Sequence, residues 1–450
     1  MDQTFYLRSR HIVSPHGVVD GVVLVEGEKI MAVQPGDPPN SAMPVRDVGD
    51  AWVFPGLVDS HVHINEPGRT EWEGFLTATS AAAAGGVTTL IEMPLNSNPV
   101  TTTPDAFRQK LAAAEGKLSV DVGFYAGLVP GNAHHVEELV RMGVFGVKAF
   151  MVYSGIPEFL NVTKNELAEA MPILNRLGIP LLAHAESDGP VDLPPGKHQS
   201  YQRYVASRPS WWETDAIGQL IELCRQTGCH VHVVHLATAD ALPMLATARA
   251  EGLPITVETC PHYLHFQAES IPDADTRFKC APPIREACHR EALWKALQEG
   301  ALDLVVSDHS PCPPEMKYLA EGDLIRAWGG ICSLQLGLSV MITECRNRGI
   351  SLEHIARWMC EGPARLVGLF PRKGAIAPGA DADLVVVDPG RSFTVKGREL
   401  RHRHKVTPYD HETLVGVVET TYLRGRVVYD THHMENLLPG RVLLRSPSLA

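Results

Sequence analysis

The sequence predicts an α/β fold: a (β/α)8 barrel carrying a small β-sandwich that is built from both ends of the chain. The first observation is a series of eight apolar runs in the middle of the sequence, rich in Val, Ile, Leu and Ala. Strands of a parallel sheet are covered on both faces and therefore read as nearly continuous apolar runs. The runs are Trp52–His63, Val87–Pro94, Val120–Leu128, Val144–Met151, Ile179–Glu186, His230–Ala237, Ile255–Cys260 and Leu302–Ser307.

The second observation is that segments with helical character separate most of these runs. Eight repeats of strand and helix favour a closed barrel, with an open, doubly wound sheet as the alternative. An open sheet would place its site in one crevice, whereas a barrel gathers residues from all strands around a ring. The helical segments are Trp72–Ala84, Pro104–Glu115, Lys164–Leu177, Trp212–Thr227, Ala239–Glu251 and Arg290–Glu299.

The two ends of the chain differ from this middle part. Residues 1–54 and 374–450 carry short β-like pieces that Gly and Asp-Pro interrupt. Neither end has enough strands for a stable core of its own. We therefore expect both ends to pack together as one discontinuous β-sandwich domain, beside a barrel formed by residues 55–373.

Composition narrows the class of protein. The chain has 450 residues, 44% of them hydrophobic and 20% charged, which allows a sizeable core. A net charge of -12 argues against non-specific nucleic-acid binding, and no apolar run is long enough to span a membrane. The nine cysteines are scattered without a CxxC pair, so a reducing, cytoplasmic location is the simpler expectation.

Chemically distinctive residues lie at the ends of the predicted strands. His61 and His63 are two apart on a strand, so both imidazoles face the same way, as a metal site requires. The carboxyl ends of barrel strands form the mouth where barrel enzymes carry their sites. Four further residues would meet the histidine pair there: Lys148, His184, His235 and Asp308.

Together these six residues predict a two-metal hydrolytic site. A lysine ammonium cannot bind a metal, but the carbamate formed with CO2 acts as a bridging carboxylate. We expect His61 and His63 to bind one ion, His184 and His235 the other, and carbamylated Lys148 to bridge them. Asp308 would contact the first ion and serve as the catalytic proton acceptor. Each residue alone also fits an ordinary structural role; the ordered set of six favours the metal site.

Other histidines are left out of this set. His230 and His232 have the opposite strand parity to His235, so they are expected to point away from the site. His309 is expected to face the other way from Asp308. His262 is a candidate contact just outside the ligands, with a structural hydrogen bond as the alternative.

The sequence resembles the amidohydrolase superfamily, and within it the cyclic amidases: dihydroorotase, hydantoinase and allantoinase. The resemblance runs nearly from end to end and is strongest to the allantoinase family. The superfamily motifs are Pro55–His63, Lys148, Glu258–Leu264, Ser307–His309 and Gly379–Asp383. The allantoinase-like motifs are Asn65–Gly74, Glu92–Ser97, Lys279–Arg285, Ala327–Ile331 and His402–Tyr409.

The resemblance implies the barrel, the six ligands and a carbamylated Lys148. It also implies two divalent ions, zinc by default with cobalt, manganese or iron as alternatives, a cyclic ureide substrate, namely allantoin, and a homo-oligomer, tetramer or dimer. Dihydroorotases carry a carboxylate-binding arginine where this chain has Asn65, which counts against that activity. Asn96 and Tyr153 are expected to contact the substrate. Tyr153 matches hydantoinases, so a hydantoinase or dihydropyrimidinase is the alternative; a non-catalytic scaffold relative is disfavoured by the complete ligand set.

Two long segments are expected to shape the substrate pocket. Residues 277–285 follow the seventh predicted strand and contain two prolines that stiffen the backbone. Residues 310–330 follow the eighth and are long enough to act as a lid. Both could also be simple connections.

Overall fold

A computed structural model describes residues 4–40, 42–431 and 438–446, so the predicted terminal ranges 1–54 and 374–450 extend partly outside the described residues. The strands are β1 (Thr4–Ser14), β2 (Gly17–Glu26), β3 (Lys29–Pro35), β4 (Val45–Asp47), β5 (Trp52–Pro55), β6 (Leu57–Val62), β7 (Val87–Glu92), β8 (Asp121–Phe124), β9 (Ala126–Gly127), β10 (Val147–Phe150), β11 (Leu181–His184), β12 (Val231–Val233), β13 (Ile255–Thr259), β14 (Leu304–Val305), β15 (Leu384–Thr394), β16 (Thr413–Leu423) and β17 (Arg426–Asp430).

Helices separate the strands of the middle part. The α-helices are α1 (Phe75–Ala84), α2 (Pro104–Ala114), α3 (Val136–Arg141), α4 (Lys164–Leu177), α5 (Tyr201–Ser207), α6 (Ser210–Thr227), α7 (Leu242–Ala250), α8 (Pro261–His265), α9 (Ala287–Glu299), α10 (Gly337–Arg348), α11 (Glu353–Ala356) and α12 (Gly362–Leu366). Each predicted helical segment contains a helix. The bounds of α4 match the prediction because Thr163 and Glu166 form a capping box at its start and Gly178, with φ 62°, ends it.

The middle strands form two parallel sheets, which confirms the α/β class. One sheet has the order β6-β7-β8 and the other β9-β10-β11-β12-β13-β14, with parallel pairing throughout. Among the described residues, backbone bonds also connect the two sheets, for example from Phe145 N to Phe124 O and from His63 N to His309 O, each 2.9 Å long, and Val62 forms an isolated parallel bridge with His309. The strand ladders remain two sheets, so a closed eight-stranded barrel stays a prediction.

Strands from both ends of the chain lie together in a separate sheet. Its order is β17-β16-β15-β5-β1-β2-β3, and β4 pairs with β1. One of its faces is apolar and buried, with Phe5, Leu7 and Val386 in a shared cluster. The described strands form one continuous ladder, and a sandwich of two sheets stays a prediction.

The predicted strand Trp52–His63 is wrong as a single element. The chain divides at Gly56, so that β5 joins the sheet of the chain ends while β6 joins the parallel sheet. Gly56 lies against the neighbouring strand, where a Cβ atom would be 2.2 Å from Thr88 Oγ1. A continuous apolar run does not reveal this change of sheet, because both sheets bury the residues concerned.

A buried ionic cluster joins the two parts of the protein. Lys373 Nζ lies 2.7 Å from Asp121 in β8, 2.7 Å from Asp383, which precedes β15, and 3.1 Å from Asp381. Arg424 also binds Asp121. Burial alone would lower the pKa of Lys373, but the carboxylates outweigh burial and raise it above its ordinary value. The lysine therefore remains charged and connects the parallel strands to the sheet of the chain ends.

We predict that Lys373→Met destabilises the protein. The substitution leaves the carboxylates of Asp121 and Asp383 buried with less compensating charge, a change that typically costs about 3–5 kcal/mol. Denaturant unfolding followed by circular dichroism should show a lower midpoint. Lys396→Met is the matched control, because Lys396 is half-exposed and forms a surface ion pair with Glu399. Equal midpoints for the two variants would contradict the structural role of the cluster.

Candidate metal centre

The histidine pair lies at the end of β6, the first strand of its parallel sheet. His61 is within β6 and His63 follows it, and both are buried. The Nε2 atoms of His61 and His63 lie 3.2 Å and 3.6 Å from Asp308 Oδ1. One possible ligand atom from each of these three residues falls within 4.8 Å of the others. This is a donor set of two imidazoles and a carboxylate, which suits a divalent cation.

The remaining predicted ligands come to the same place. His184 ends β11, and its ring centroid lies 4.6 Å from that of His235, which in turn lies 5.3 Å from that of His61. Lys148 lies in β10 and is completely buried, with Nζ 5.2 Å from the centroid of the Phe150 ring. Among the described residues, Lys148 Nζ has no hydrogen-bond partner. The structure thus gathers all six predicted residues at one end of the parallel sheets.

Burial sets the charge states of these groups. It lowers the pKa of His63 to about 3 and that of His61 and His235 well below their ordinary value. The imidazoles are therefore neutral, which is the form that binds metals. Burial also lowers the pKa of Lys148 to about 8, so part of its amine is neutral near physiological pH. It raises the pKa of Asp308, a carboxylate that lacks sufficient positive charge nearby.

Two of the residues depend on a break in strand geometry. His235 has φ 38° and Asp308 has φ 44°, which is left-handed backbone that non-glycine residues rarely adopt. The strands β12 and β14 end before them, at Val233 and Val305. Strand parity consequently does not continue to His235 and Asp308. Such backbone strain is common at functional sites, where the surrounding structure holds it in place.

This break makes one sequence expectation wrong. His232, which was expected to face away from the site, is completely buried, and its Nε2 lies 2.9 Å from Glu258 Oε2. Glu258 Oε1 in turn lies 2.5 Å from His61 Nδ1. His230 contacts Thr256 Oγ1 at 2.8 Å, as His232 does. His232 therefore belongs to the network that supports the candidate ligands.

Glu258 is the main residue that the sequence reasoning missed. Besides binding His61 and His232, its carboxylate accepts a 3.1 Å bond from the backbone N of His235. A carboxylate on one ring nitrogen fixes the ring and leaves the other nitrogen for a metal. The signal was present, because an acidic residue within the apolar run Ile255–Cys260 is as unusual as Lys148 in its own run.

A second carboxylate orients His184. Glu186 Oε2 lies 2.7 Å from His184 Nε2, and Arg208 holds the same carboxylate through its Nε at 3.0 Å from Oε1. The contact leaves Nδ1 as the ring nitrogen of His184 available to a cation. The chain thus supports at least two of its four candidate histidine ligands through buried acids.

The site opens into a cavity of about 640 Å³. Its lining includes all of the candidate ligands except Lys148, together with Asn96 and Tyr153. Asn96 Nδ2 also lies 3.4 Å from His63 Nδ1, so the predicted substrate contact borders a candidate ligand as well. Tyr153 is 55% exposed and forms part of the cavity rim. Both residues are placed where a bound ring could reach them.

Two neighbouring histidines lie outside the candidate ligand set. His309 is buried, with Nε2 3.4 Å from Glu73 and Nδ1 accepting a bond from Ser333 N at 3.2 Å. His262 is buried, and neither ring nitrogen has a hydrogen-bond partner among the described residues.

No helix among the described residues combines the length and apolar character needed to cross a bilayer.

Comparison with known proteins identifies the family. The model of the Amidohydrolase family matches residues 52–428. The chain is 47% identical to an allantoinase of Streptomyces avermitilis over 450 residues, covering 99% of this chain and 100% of the relative. It is 46% identical to an allantoinase of Saccharomyces cerevisiae, covering 89% and 88%, and 42% identical to one of Arabidopsis thaliana, covering 94% and 88%.

Solved structures give the same relationship. The L-hydantoinase (dihydropyrimidinase) from Arthrobacter aurescens superposes with a TM-score of 0.87 at 32% identity, covering 99% of this chain and 98% of that one. A dihydropyrimidinase from Brevibacillus agri also gives 0.87, at 28% identity and with 99% of both chains covered. Sequence motifs, strand-end geometry and both comparisons therefore agree that the chain belongs to the amidohydrolase family.

Proposed function

We propose that the protein is an allantoinase, which opens the ring of allantoin by hydrolysis to give allantoate. The observation that carries this proposal is the convergence of four buried imidazoles and Asp308 on one cavity. Such a donor set is typical of metal-dependent hydrolysis. Full-length relatives at 42–47% identity carry the name allantoinase, which supports allantoin as the ring that is opened.

The residues present fit two divalent cations. His61, His63 and Asp308 would hold one, and His184 with His235 the other. Lys148 Nζ and His235 Nδ1 are buried and have no hydrogen-bond partner among the described residues. This supports the proposal that His235 binds a cation and that Lys148 carries a further group. Zinc is the default, and cobalt, manganese and iron accept the same ligand types.

We further propose that Lys148 carries a carbamate. The neutral amine attacks CO2, forms a C–N bond and loses a proton, which converts a cationic side chain into an anionic one. That change suits a buried position near candidate cations, where an ammonium would be repelled. A pKa of about 8 leaves part of the amine neutral and able to react.

Bound divalent cations supply Lewis-acid activation of water and of the ring carbonyl. Asp308 accepts the proton that the attacking water loses and delivers it to the departing ring nitrogen. Asn96 presents an amide that can pair with the carbonyl and N–H edge of the ring. Tyr153, at the rim, can donate its hydroxyl to the oxygen that becomes negatively charged.

The alternative activity is that of a hydantoinase or dihydropyrimidinase. Tyr153 and the names of the superposing structures favour it, whereas the sequence identities to allantoinases are higher than those to hydantoinases.

The proposal also takes the two parallel sheets as one (β/α)8 barrel, with the sheet of the chain ends as part of a β-sandwich. It places the protein in the cytoplasm as a homo-oligomer; nine free cysteines fit a reducing compartment.

A substrate panel tests the proposed activity. Metal-loaded protein should hydrolyse allantoin with a kcat/KM at least about tenfold above those for hydantoin, dihydrouracil and dihydroorotate, since one well-placed polar contact gives discrimination of this order. Higher kcat/KM for hydantoin or dihydrouracil would support the alternative activity. No turnover of any ring by metal-loaded protein would support a scaffold.

Replacement of Asp308 tests the proton transfer. Asp308→Ala should lower kcat by about 10²-fold or more, since general acid–base groups contribute this much. Metal content must be measured in the same sample, because Asp308 is also a candidate ligand. A variant with full metal content and near-normal turnover would show that Asp308 does not move the proton.

The carbamate can be detected directly. Native mass spectrometry of metal-loaded protein should show the added mass of one CO2, and isotopically labelled bicarbonate should place the label on Lys148. Lys148→Met should lose the label and most of the bound metal. Lys295→Met, which changes a surface lysine of α9, should keep both. An unmodified amine in active, metal-filled protein would exclude the carbamate.

A further inference from the structure

Lys317 is a buried lysine outside the candidate metal centre. It ends a short 3₁₀ turn, Pro314–Lys317, in the long segment that follows β14, and it is 4% exposed. Its Nζ donates hydrogen bonds to the carbonyl oxygens of Lys279 at 3.2 Å, Trp328 at 3.0 Å and Gly330 at 2.5 Å. An ammonium has three N–H donors, so all three are used on backbone carbonyls.

A second buried lysine, Lys279, binds the same stretch of backbone. Lys279 Nζ donates to the carbonyl oxygens of Ile325 at 2.8 Å and Ala327 at 2.5 Å. The backbone N of Gly330 donates in return to Lys279 O at 2.9 Å. Four carbonyl groups of residues 325–330, called here the wall segment, therefore bind two lysines.

The wall segment borders the cavity of the candidate metal centre. Five of its residues line that cavity: Ile325, Arg326, Ala327, Trp328 and Gly329. Trp328 also packs edge-on against Trp72, at 4.9 Å between ring centroids, and so reaches the loop that follows His63. A shift of this backbone would change the shape of the cavity opposite the candidate ligands.

Burying Lys317 has a high cost in solvation free energy for a contact that serves structure alone. Burying an ammonium costs several kcal/mol of solvation, and carbonyl groups return less than a carboxylate would. Removing the ammonium would leave Trp328 O and Gly330 O without this partner in a buried place. The wall segment would then relax toward solvent or toward new partners, although the candidate metal ligands are on other strands.

We propose that Lys317 is a positioning residue, which fixes the wall segment against Lys279 and thereby sets the affinity of the cavity for the cyclic ureide. This inference rests on the proposed function for the identity of the ligand. For residues 310–330 the sequence leaves two roles open, a lid and a simple connection, and this inference favours a fixed connection at Lys317. At Lys317 this segment is fixed by hydrogen bonds to backbone carbonyls, so that the wall of the cavity is formed before substrate binds.

Kinetics of a lysine-to-methionine variant test the proposal in the full-length, metal-loaded protein. Lys317→Met should raise KM for allantoin about tenfold or more and leave kcat within about threefold, because it removes binding that ground state and transition state share. Metal content should stay at the wild-type level. Lys295→Met, of the same type but on the surface, should show wild-type KM. An unchanged KM in the Lys317 variant overturns the proposal.

Hydrogen–deuterium exchange gives a second readout that does not depend on activity. Amides of the wall segment should exchange about tenfold faster in Lys317→Met, while those of β11 keep wild-type rates, since only local opening is affected. Unchanged exchange in the wall segment overturns the proposal even if KM changes. If the wild type hydrolyses no ring, the proposed function fails, and exchange alone decides the role of Lys317. If the methionine variant does not fold, both the kinetics and the hydrogen–deuterium exchange can be measured on Lys317→Gln, whose side chain is shorter and uncharged.

Discussion

The buried amine of Lys148 is the constraint on which the candidate site depends. It lies in the middle of a parallel sheet with no hydrogen-bond partner among the described residues, close to imidazoles that burial keeps neutral. A permanent ammonium in this place would be costly and would repel cations. The proposed conversion to a carbamate would remove the charge conflict and would supply an additional ligand. Under that proposal, the stability of the strand ends and metal binding would be coupled, because the same groups would serve both.

Carboxylates behind the candidate ligands make this arrangement specific. Glu258 contacts His61, His232 and the backbone of His235, while Glu186 connects His184 to Arg208. Each buried acid selects which imidazole nitrogen faces the cavity. The left-handed backbone of residues 235 and 308 then turns side chains toward the cavity from strands that have already ended. The geometry of the site therefore depends on buried carboxylates that contact the ligands and on the backbone conformation of residues 235 and 308.

The wall of the cavity is held by a different kind of interaction from the candidate metal centre. Its backbone carbonyls accept hydrogen bonds from the amino groups of Lys279 and Lys317, so peptide dipoles take the place of water as the partners of these buried groups. The candidate metal centre is built on residues within or just after the parallel strands, and buried carboxylates fix several of its side chains. The wall is irregular backbone, and the two lysines give it comparable definition. Under the two proposals, chemistry and substrate affinity would depend on separate parts of the protein.

Residue types and their order along the chain were sufficient to predict the parallel α/β class, the six named helical segments and the gathering of the six candidate ligands in one place. Polar residues at the ends of apolar runs are informative because burying them costs free energy unless a hydrogen bond, an opposite charge or a metal ion compensates. Sequence alone did not predict the change of sheet at Gly56, the inward position of His232 or the contacts of Glu258. Those features depend on how neighbouring strands meet and on two left-handed residues that break strand parity. Periodicity describes a single strand, and only the folded chain decides which side chains share a space.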